Sequence, residues 1–374
     1  MKRWGLIAAS LILLIGVTGC SLFPTGENYS WGEKEAEVTV AEDGATGKLN
    51  EKLVVNATIE EPKNITWKQY NVAQVDYTDE QLETIADSLK QKNSIKNKTK
   101  MEDYFDCEYS DGSGFTYNTQ HGGFGISYTT KQSDKIEYSY MIEEKGGGKL
   151  LSEDDIKEMF PKDKLDGLSL DTAISNVKDI CKKMNINIGD TPYMCIVMDY
   201  ENANKVIEKD STKGADKNGN VSKWTKSDDV YYMIFQQSVD DIAISIDSKS
   251  ANFYAIPQTA VTAIVGRQGV VSVRTHYLSD KKSSENVTVI DSQKALNILA
   301  TDTMYAAIGD MVLTNLSLEY VVYKDLKTKE DYIKPMWVYT FERTTTTEKN
   351  GETYTQTSKQ TNFIDAVTGQ VLGG

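Results

Sequence analysis

Few residues of this chain can do chemistry, and their spacing limits what that chemistry is. The two histidines, His121 and His276, stand in no His-x-x-x-His or His-Glu-x-x-His pattern, so a zinc site has no imidazole pair to start from and no metal ligands are assigned. No Gly-x-Ser-x-Gly elbow occurs, and Ser113 has no nucleophile context, which leaves a Ser or Cys hydrolase without its parts. Carboxylates are plentiful, with adjacent pairs at Asp154-Asp155, Asp228-Asp229 and Asp240-Asp241. The first pair opens a helix, where carboxylates favour the dipole; the other two flank strands and are expected to face water. Asp216-Lys217-Asn218-Gly219-Asn220 comes nearest to a calcium loop but lacks the terminal Glu at the right spacing, so it reads as a solvated turn. His121 lies in Gln120-His121-Gly122-Gly123-Phe124-Gly125, where glycines let backbone approach a ligand closely. His121, Gly122 and Gly123 are therefore a candidate ligand loop, although the same glycines suit a tight hairpin between strands, the preferred role. No catalytic residue or cofactor is assigned, and the expected class is non-enzymatic.

One thiol stands where chemistry is expected of it. Lys2 and Arg3 precede an apolar run from Trp4 to Val17, which closes on Val17-Thr18-Gly19-Cys20. A charged start, a short apolar core and small residues before the cut form a secretory signal over residues 1–19. The core is too short to span a bilayer, which takes about 20 apolar residues. The tetrapeptide resembles the bacterial lipobox, with Val17 where Leu is commoner. That resemblance implies cleavage between Gly19 and Cys20, a diacylglycerol on the Cys20 thiol, and attachment to the lipid bilayer on the extracytoplasmic face of the cell membrane.

The composition fits a folded body held at a membrane by lipid alone. Apolar residues make up 39% of the chain and aromatics 9%, enough to fill real cores. The net charge of -14 repels nucleic acid, which is excluded as a partner, and anionic headgroups, so a basic patch is not the membrane link. Beside Cys20 the chain keeps Cys107, Cys181 and Cys195, an odd remainder that forms no complete disulfide framework. Cys181 and Cys195 either bridge or sit buried as small hydrophobes.

Residues 20–47, rich in Gly, Glu, Thr and Ala without an apolar period, read as a lipidated Cys followed by a flexible tether. From Leu49 to Ile59 and from Tyr70 to Val75 the pattern is strand-like. Thr78-Asp79-Glu80-Gln81 has the capping-box form and opens a helix with Leu82, Ile85, Ala86 and Leu89 on one face. Alternation at period two over residues 104–142 predicts a meander of antiparallel strands, extending through Ile136, Tyr138 and Tyr140. Helices follow over 152–160 and 169–184, then a strand at 193–198. The charged stretch 209–225 reads as a linker between two α+β domains, 48–208 and 226–374. The second carries strands at 230–236, 243–246, 260–265, 270–277, 316–323 and 336–342, and a helix from Ser292. Asn350-Gly351, the pair demanded by type I′ turns, joins Thr-rich arms, and the last strands are 362–366 and 370–372. Helices mixed with antiparallel strands in both halves give the α+β class.

Four features near the end of the chain fall in a familiar order: the helix with Gln293-Lys294-Ala295-Leu296, a strand ending in Tyr320, then Lys334-Pro335-Met336-Trp337-Val338-Tyr339-Thr340-Phe341, and Ile364-Asp365-Ala366-Val367-Thr368-Gly369. Residues 226–374 thus resemble the PepSY and YycI-like group of extracytoplasmic modules, and the whole chain is similar to uncharacterised surface lipoproteins of clostridia-like Gram-positive bacteria. The resemblance implies a binding or regulatory module for a peptide, an envelope component or a membrane-protein partner. Two alternatives stay open: a solute-binding lipoprotein, against which the antiparallel Tyr-rich pattern argues, and a carboxylate-based envelope hydrolase. Pro335 biases its neighbour to extended geometry, and Trp337, Tyr339 and Phe341 then share one buried face. In the turn after Ile364, Asp365 can accept backbone N–H groups while Gly369 supplies a positive φ.

Overall fold

The computed structural model describes residues 37–41, 44–50, 53–90, 92–119, 125–136, 138–142, 151, 153–216, 219–246, 259–276, 278–301, 311–325, 328–349 and 352–372. Two mixed or antiparallel sheets carry most of them, with helices packed on their faces, so the class is α+β. The first sheet runs in the order Glu37–Val40, Gly44–Lys48, Leu53–Glu60, Met311–Lys324, Asp331–Lys349, Glu352–Asp365, Val371–Leu372. Lys68–Gln74 also pairs with the start of Asp331–Lys349 and carries Ser279–Asn286 on its other side. The pairing of Leu53–Glu60 with Met311–Lys324 is parallel. The second sheet is antiparallel throughout, in the order Ile95–Met101, Tyr104–Tyr109, Gly114–Asn118, Ile126–Thr129, Gly269–Thr275, Val261–Gly266, Val230–Phe235, Met194–Met198.

The expected domains 48–208 and 226–374 are corrected by this topology, and so is the end of the expected tether over 20–47, where Glu37–Val40 and Gly44–Lys48 are strands of the first sheet and Ala45 is buried in its core. Each sheet takes strands from both expected domains, and Lys34–Gly374 forms one compact unit. Nor is 209–225 a free linker. The helix Tyr200–Lys209 ends there, a 3₁₀ turn follows at Ser211–Gly214, and Trp224 is buried against Tyr138 with ring centroids 5.2 Å apart. Its path is held by the buried Trp224, whose backbone also bonds the Asn204 side chain.

Local chemistry explains most elements. Thr78 accepts from Gln81 N while the Gln81 side chain accepts from Thr78 N, completing the capping box of Asp79–Leu89. That helix and Leu170–Lys183 bury their apolar faces on one side of the second sheet, while Glu153–Met159, Tyr200–Lys209 and the 3₁₀ turn Tyr138–Ile142 cover the other. Covered on both faces, Val230–Phe235 is apolar and buried at every position. The strand expected through Ile136, Tyr138 and Tyr140 is instead a short helix, Lys131–Lys135, and that 3₁₀ turn. Tyr138, Met141 and Ile142 are the residues it buries, a three-residue spacing that competes with period two in the same letters.

The core of the first sheet explains Pro335. Partner strands on one side of Asp331–Lys349 change at this point, from Lys68–Gln74, whose pairing ends at Ile333, to Glu352–Asp365, whose pairing begins at Met336. Ala366 N donates to Pro335 O across this seam, so the missing N–H falls where no ladder bond is lost. Trp337 is wholly buried in the main core with Tyr339 and Phe341, and its Nε1 donates to Ile290 O at 3.0 Å. Trp337→Ala is therefore expected to cost roughly 3–5 kcal/mol, the range for truncating a large buried aromatic. Urea unfolding of the full chain measures it, and an unchanged midpoint would contradict the core role.

Candidate functional site

The first sheet has two unlike faces. Its inner face builds the main core, with Leu53, Val55, Ala57 and Ile59 alternating inward along one strand. The outward residues of that strand, Val54, Asn56, Thr58 and Glu60, are exposed. On the same side, the apolar cluster of Val321, Met336, Val338 and Phe363, with Tyr323 and Leu372, is drawn from strands alone. Register carries this face outward through Val338↔Phe363, Thr340↔Thr361, Glu342↔Lys359, Thr344↔Thr357 and Thr346↔Thr355. The hydroxyls of Thr340 and Thr361 meet at 3.0 Å, those of Thr344 and Thr357 at 3.2 Å, and Lys359 pairs with Glu342 at 2.8 Å.

Beyond Glu342, the last residue paired with Met311–Lys324, the two arms continue as a two-stranded ribbon of seven register pairs, Arg343↔Ser358 to Lys349↔Glu352. At roughly 3.4 Å per residue it projects about 24 Å. Arg343 to Thr346, Thr355 and Thr357 to Gln360 are exposed. At the opposite end of the face, Tyr323 and Tyr332 stack at 5.6 Å with Lys334 Nζ over both rings, 5.2 and 5.7 Å from their centres. Lys334 also lies 3.8 Å from Asp365. Asp365 accepts from Val367 N at 2.9 Å and Thr368 N at 3.0 Å, and Gly369 has φ 76°, so this turn has the expected chemistry.

A second polar cluster joins the two sheets. Ser238–Val239 and Ile242–Ala243 form a hairpin whose two loop residues, Asp240 and Asp241, have φ 50° and 64°, the geometry of a type I′ turn. The chain then pairs with the first sheet at Tyr320, Ser245 N donating to Tyr320 O at 2.7 Å. Asp240 accepts from Tyr70 Oη at 2.5 Å, Lys281 Nζ at 2.9 Å and Lys68 Nζ at 3.0 Å. Those hydrogen bonds, with Tyr70 foremost, hold its carboxyl well below the usual range, while burial and Asp240 push the Tyr70 phenol up. The cluster, with both Asp240 carboxylate oxygens engaged, clamps the hairpin on Lys68–Gln74.

The other candidates resolve as follows. Gly19, Cys20, His121, Gly122 and Gly123 lie outside the described residues. The flanks of the His121 loop do pair as a hairpin, Tyr117 opposite Ile126, with Asn118 N donating to Gly125 O. A Cβ on Gly125 would meet His276 O at 2.7 Å, which accounts for that glycine by close backbone approach. His276 is half-buried, and burial with Arg274 pulls its imidazole below the ordinary value. Asp229, expected in water, is buried instead: it accepts from Tyr200 N at 2.8 Å and pairs with Arg267. Asp199 is also buried, capping Tyr200–Lys209 and paired with Lys162 at 2.9 Å. Burial raises its pKa, but the bonds from Lys162 and Asn202 outweigh this and leave it lowered. Asp216 closes its own turn by accepting from Asn220 N. Cys181 and Cys195 are free thiols; Cys181 is buried and pushed up to about 12, whereas Cys195 is exposed on the edge strand Met194–Met198. Asp199 and the ribbon's projection went unread in the sequence, although Asp before Tyr200-Glu201 is an N-cap signal and ten uncharged positions are visible in the arms.

No protein-family model matches the chain, and no curated protein matches it. A solved structure does resemble it: an uncharacterized protein from Eubacterium rectale ATCC 33656, a crystal structure at 1.45 Å resolution, matches with a TM-score of 0.56 and 16% identity. The match covers 90% of this chain and 95% of that one, so the two share the fold over nearly their whole lengths.

Proposed function

We propose that this protein is a non-enzymatic binding or regulatory module, lipid-anchored through Cys20 on the extracytoplasmic face of the membrane, that docks a peptide, envelope component or membrane-protein partner on the first sheet. The observation that carries this reading is the outer end of that sheet, where exposed Asn56 and Thr58 and a ladder of paired Thr residues lead into a projecting ribbon, while Val321, Met336, Val338 and Phe363 on the same side are buried. The exposed residues there, Arg343 to Thr346, Thr355 and Thr357 to Gln360, are polar and open to a macromolecule. The best-formed hollows among the described residues are open grooves, one beside Asp79–Leu89 and one beside the Asp240 hairpin, and this favours partner docking over enclosure of a small solute. Asp199 and Asp229 are engaged in capping and ion pairs, which weighs against the hydrolase alternative. The Pro335 seam and the Asp365 turn are the parts the PepSY and YycI-like resemblance rests on, and both have structural explanations compatible with such a module.

Photocrosslinking on intact cells tests the proposal. A benzoylphenylalanine at Asn56 or Thr58, on the outward face, is expected to give a discrete adduct, and one at Glu208, on the far side of the second sheet, is not. Adducts from Glu208 alone would contradict the assignment of the surface.

A further inference from the structure

We propose, resting on the docking role above, that the ribbon binds by strand addition: an extended partner peptide without acidic residues pairs along the outer edge of Glu352–Asp365, from Glu352 to Thr361. Three observations carry this. First, among the described residues that edge pairs with Val371–Leu372 only at Phe363 and Ile364, so ten positions beyond lie on the sheet's outside edge, in line with a strand the chain already adds there. An edge of backbone donors and acceptors is a template for another strand.

Second, two other described edges carry charges along their length, whereas this one carries them only at Glu352 and Lys359. Ile95–Met101 carries Lys96, Lys98 and Lys100, held by Glu108, Glu83 and Asp79, and Ser279–Asn286 carries Asp280, Lys281, Lys282 and Glu285. Charges on an edge block unwanted pairing. In the ribbon, Thr344 to Thr347 and Thr353 to Ser358 hold no charge, although 26% of the chain is charged. Third, Thr is β-branched and favours extended geometry, and the Thr344–Thr357 contact ties the arms together, so the edge is ordered before a partner arrives and the ordering cost falls on the peptide alone.

The net charge of -14 selects the occupant. It repels a second copy of the same body and favours an uncharged or basic segment. Backbone pairing supplies affinity, while the exposed Thr355 and Thr357 stand beside the added strand.

The test uses the full chain in detergent and a fluorescent ten-residue peptide of alternating Thr and Val with Lys at both ends. Saturable binding is expected, with slowed amide exchange confined to 352–361. Thr355→Lys with Thr357→Lys, a change of two exposed side chains, is expected to weaken binding at least tenfold while leaving the melting temperature in place. The same peptide N-methylated at alternate residues is expected not to bind. No binding of the parent peptide, equal binding of the methylated one, or full binding by the doubly substituted chain would each overturn strand addition. A dimer of the parent that the double substitution dissociates would make a second copy the occupant and overturn the peptide proposal. Any of these results together with an Asn56 adduct on cells would leave the docking face standing and remove only the ribbon's part in it.

Discussion

Residues 34–208 and 226–374, expressed as separate chains, are each expected to remain unfolded, and co-expression is expected to restore the fold in part or in full. In the second sheet, Met194–Met198 belongs with the first half in sequence, yet three strands of the second half, Gly269–Thr275, Val261–Gly266 and Val230–Phe235, separate it from Ile126–Thr129. Without them it has nothing to pair with. The second half fares no better, because its long strands lose Leu53–Glu60 and Lys68–Gln74, which bring Leu53, Val55, Ile59, Tyr70 and Val72 to the main core. At about 1.5–3 kcal/mol for each large buried side chain, those five are on the order of 10 kcal/mol. A whole domain is stable by only about 5–15 kcal/mol. Amide proton spectra report the outcome directly: collapsed dispersion for each half alone is expected, and a well-dispersed spectrum from 226–374 alone would show that the interleaving is not needed for folding.

That interleaving marks the limit of what the letters carry. Alternation in Leu53-Val54-Val55-Asn56-Ala57-Thr58-Ile59-Glu60 states which face is buried, but not that the partner is Met311–Lys324 in parallel register. Nothing local to either strand encodes a pairing made across so much chain. Local chemistry was legible where one residue decides the geometry, as with Thr78 and Gln81 at a helix start and Asp365 with Gly369 at the final turn. The helix Tyr200–Lys209 was harder to read, because its buried side chains are only Ala203 and Ile207. In 209–225 a polar stretch concealed a buried anchor, Trp224. The candidate surface was half legible. The Thr-rich arms read as a hairpin, while its projection past Glu342 depends on where the neighbouring strand stops, a tertiary fact.

The other large effect concerns where the protein resides. A thiol carrying two acyl chains supplies stable anchoring, since each buried methylene contributes about 0.8 kcal/mol, whereas the acidic body has no attraction of its own to an anionic leaflet. No helix among the described residues is long and apolar enough to cross a membrane. Removing the thiol should then shift the whole population rather than a fraction of it. The measurement that tests the account most directly is fractionation of cells expressing the parent and Cys20→Ala. The parent is expected in the membrane fraction, extractable by detergent and shaved by protease added outside. Cys20→Ala is expected to leave that fraction, either released as a mature form or retained with its signal uncut and no lipid label. A Cys20→Ala protein that is processed, unlabelled and still as firmly membrane-bound as the parent would contradict the anchor and, with it, the placement of the docking face at the cell surface.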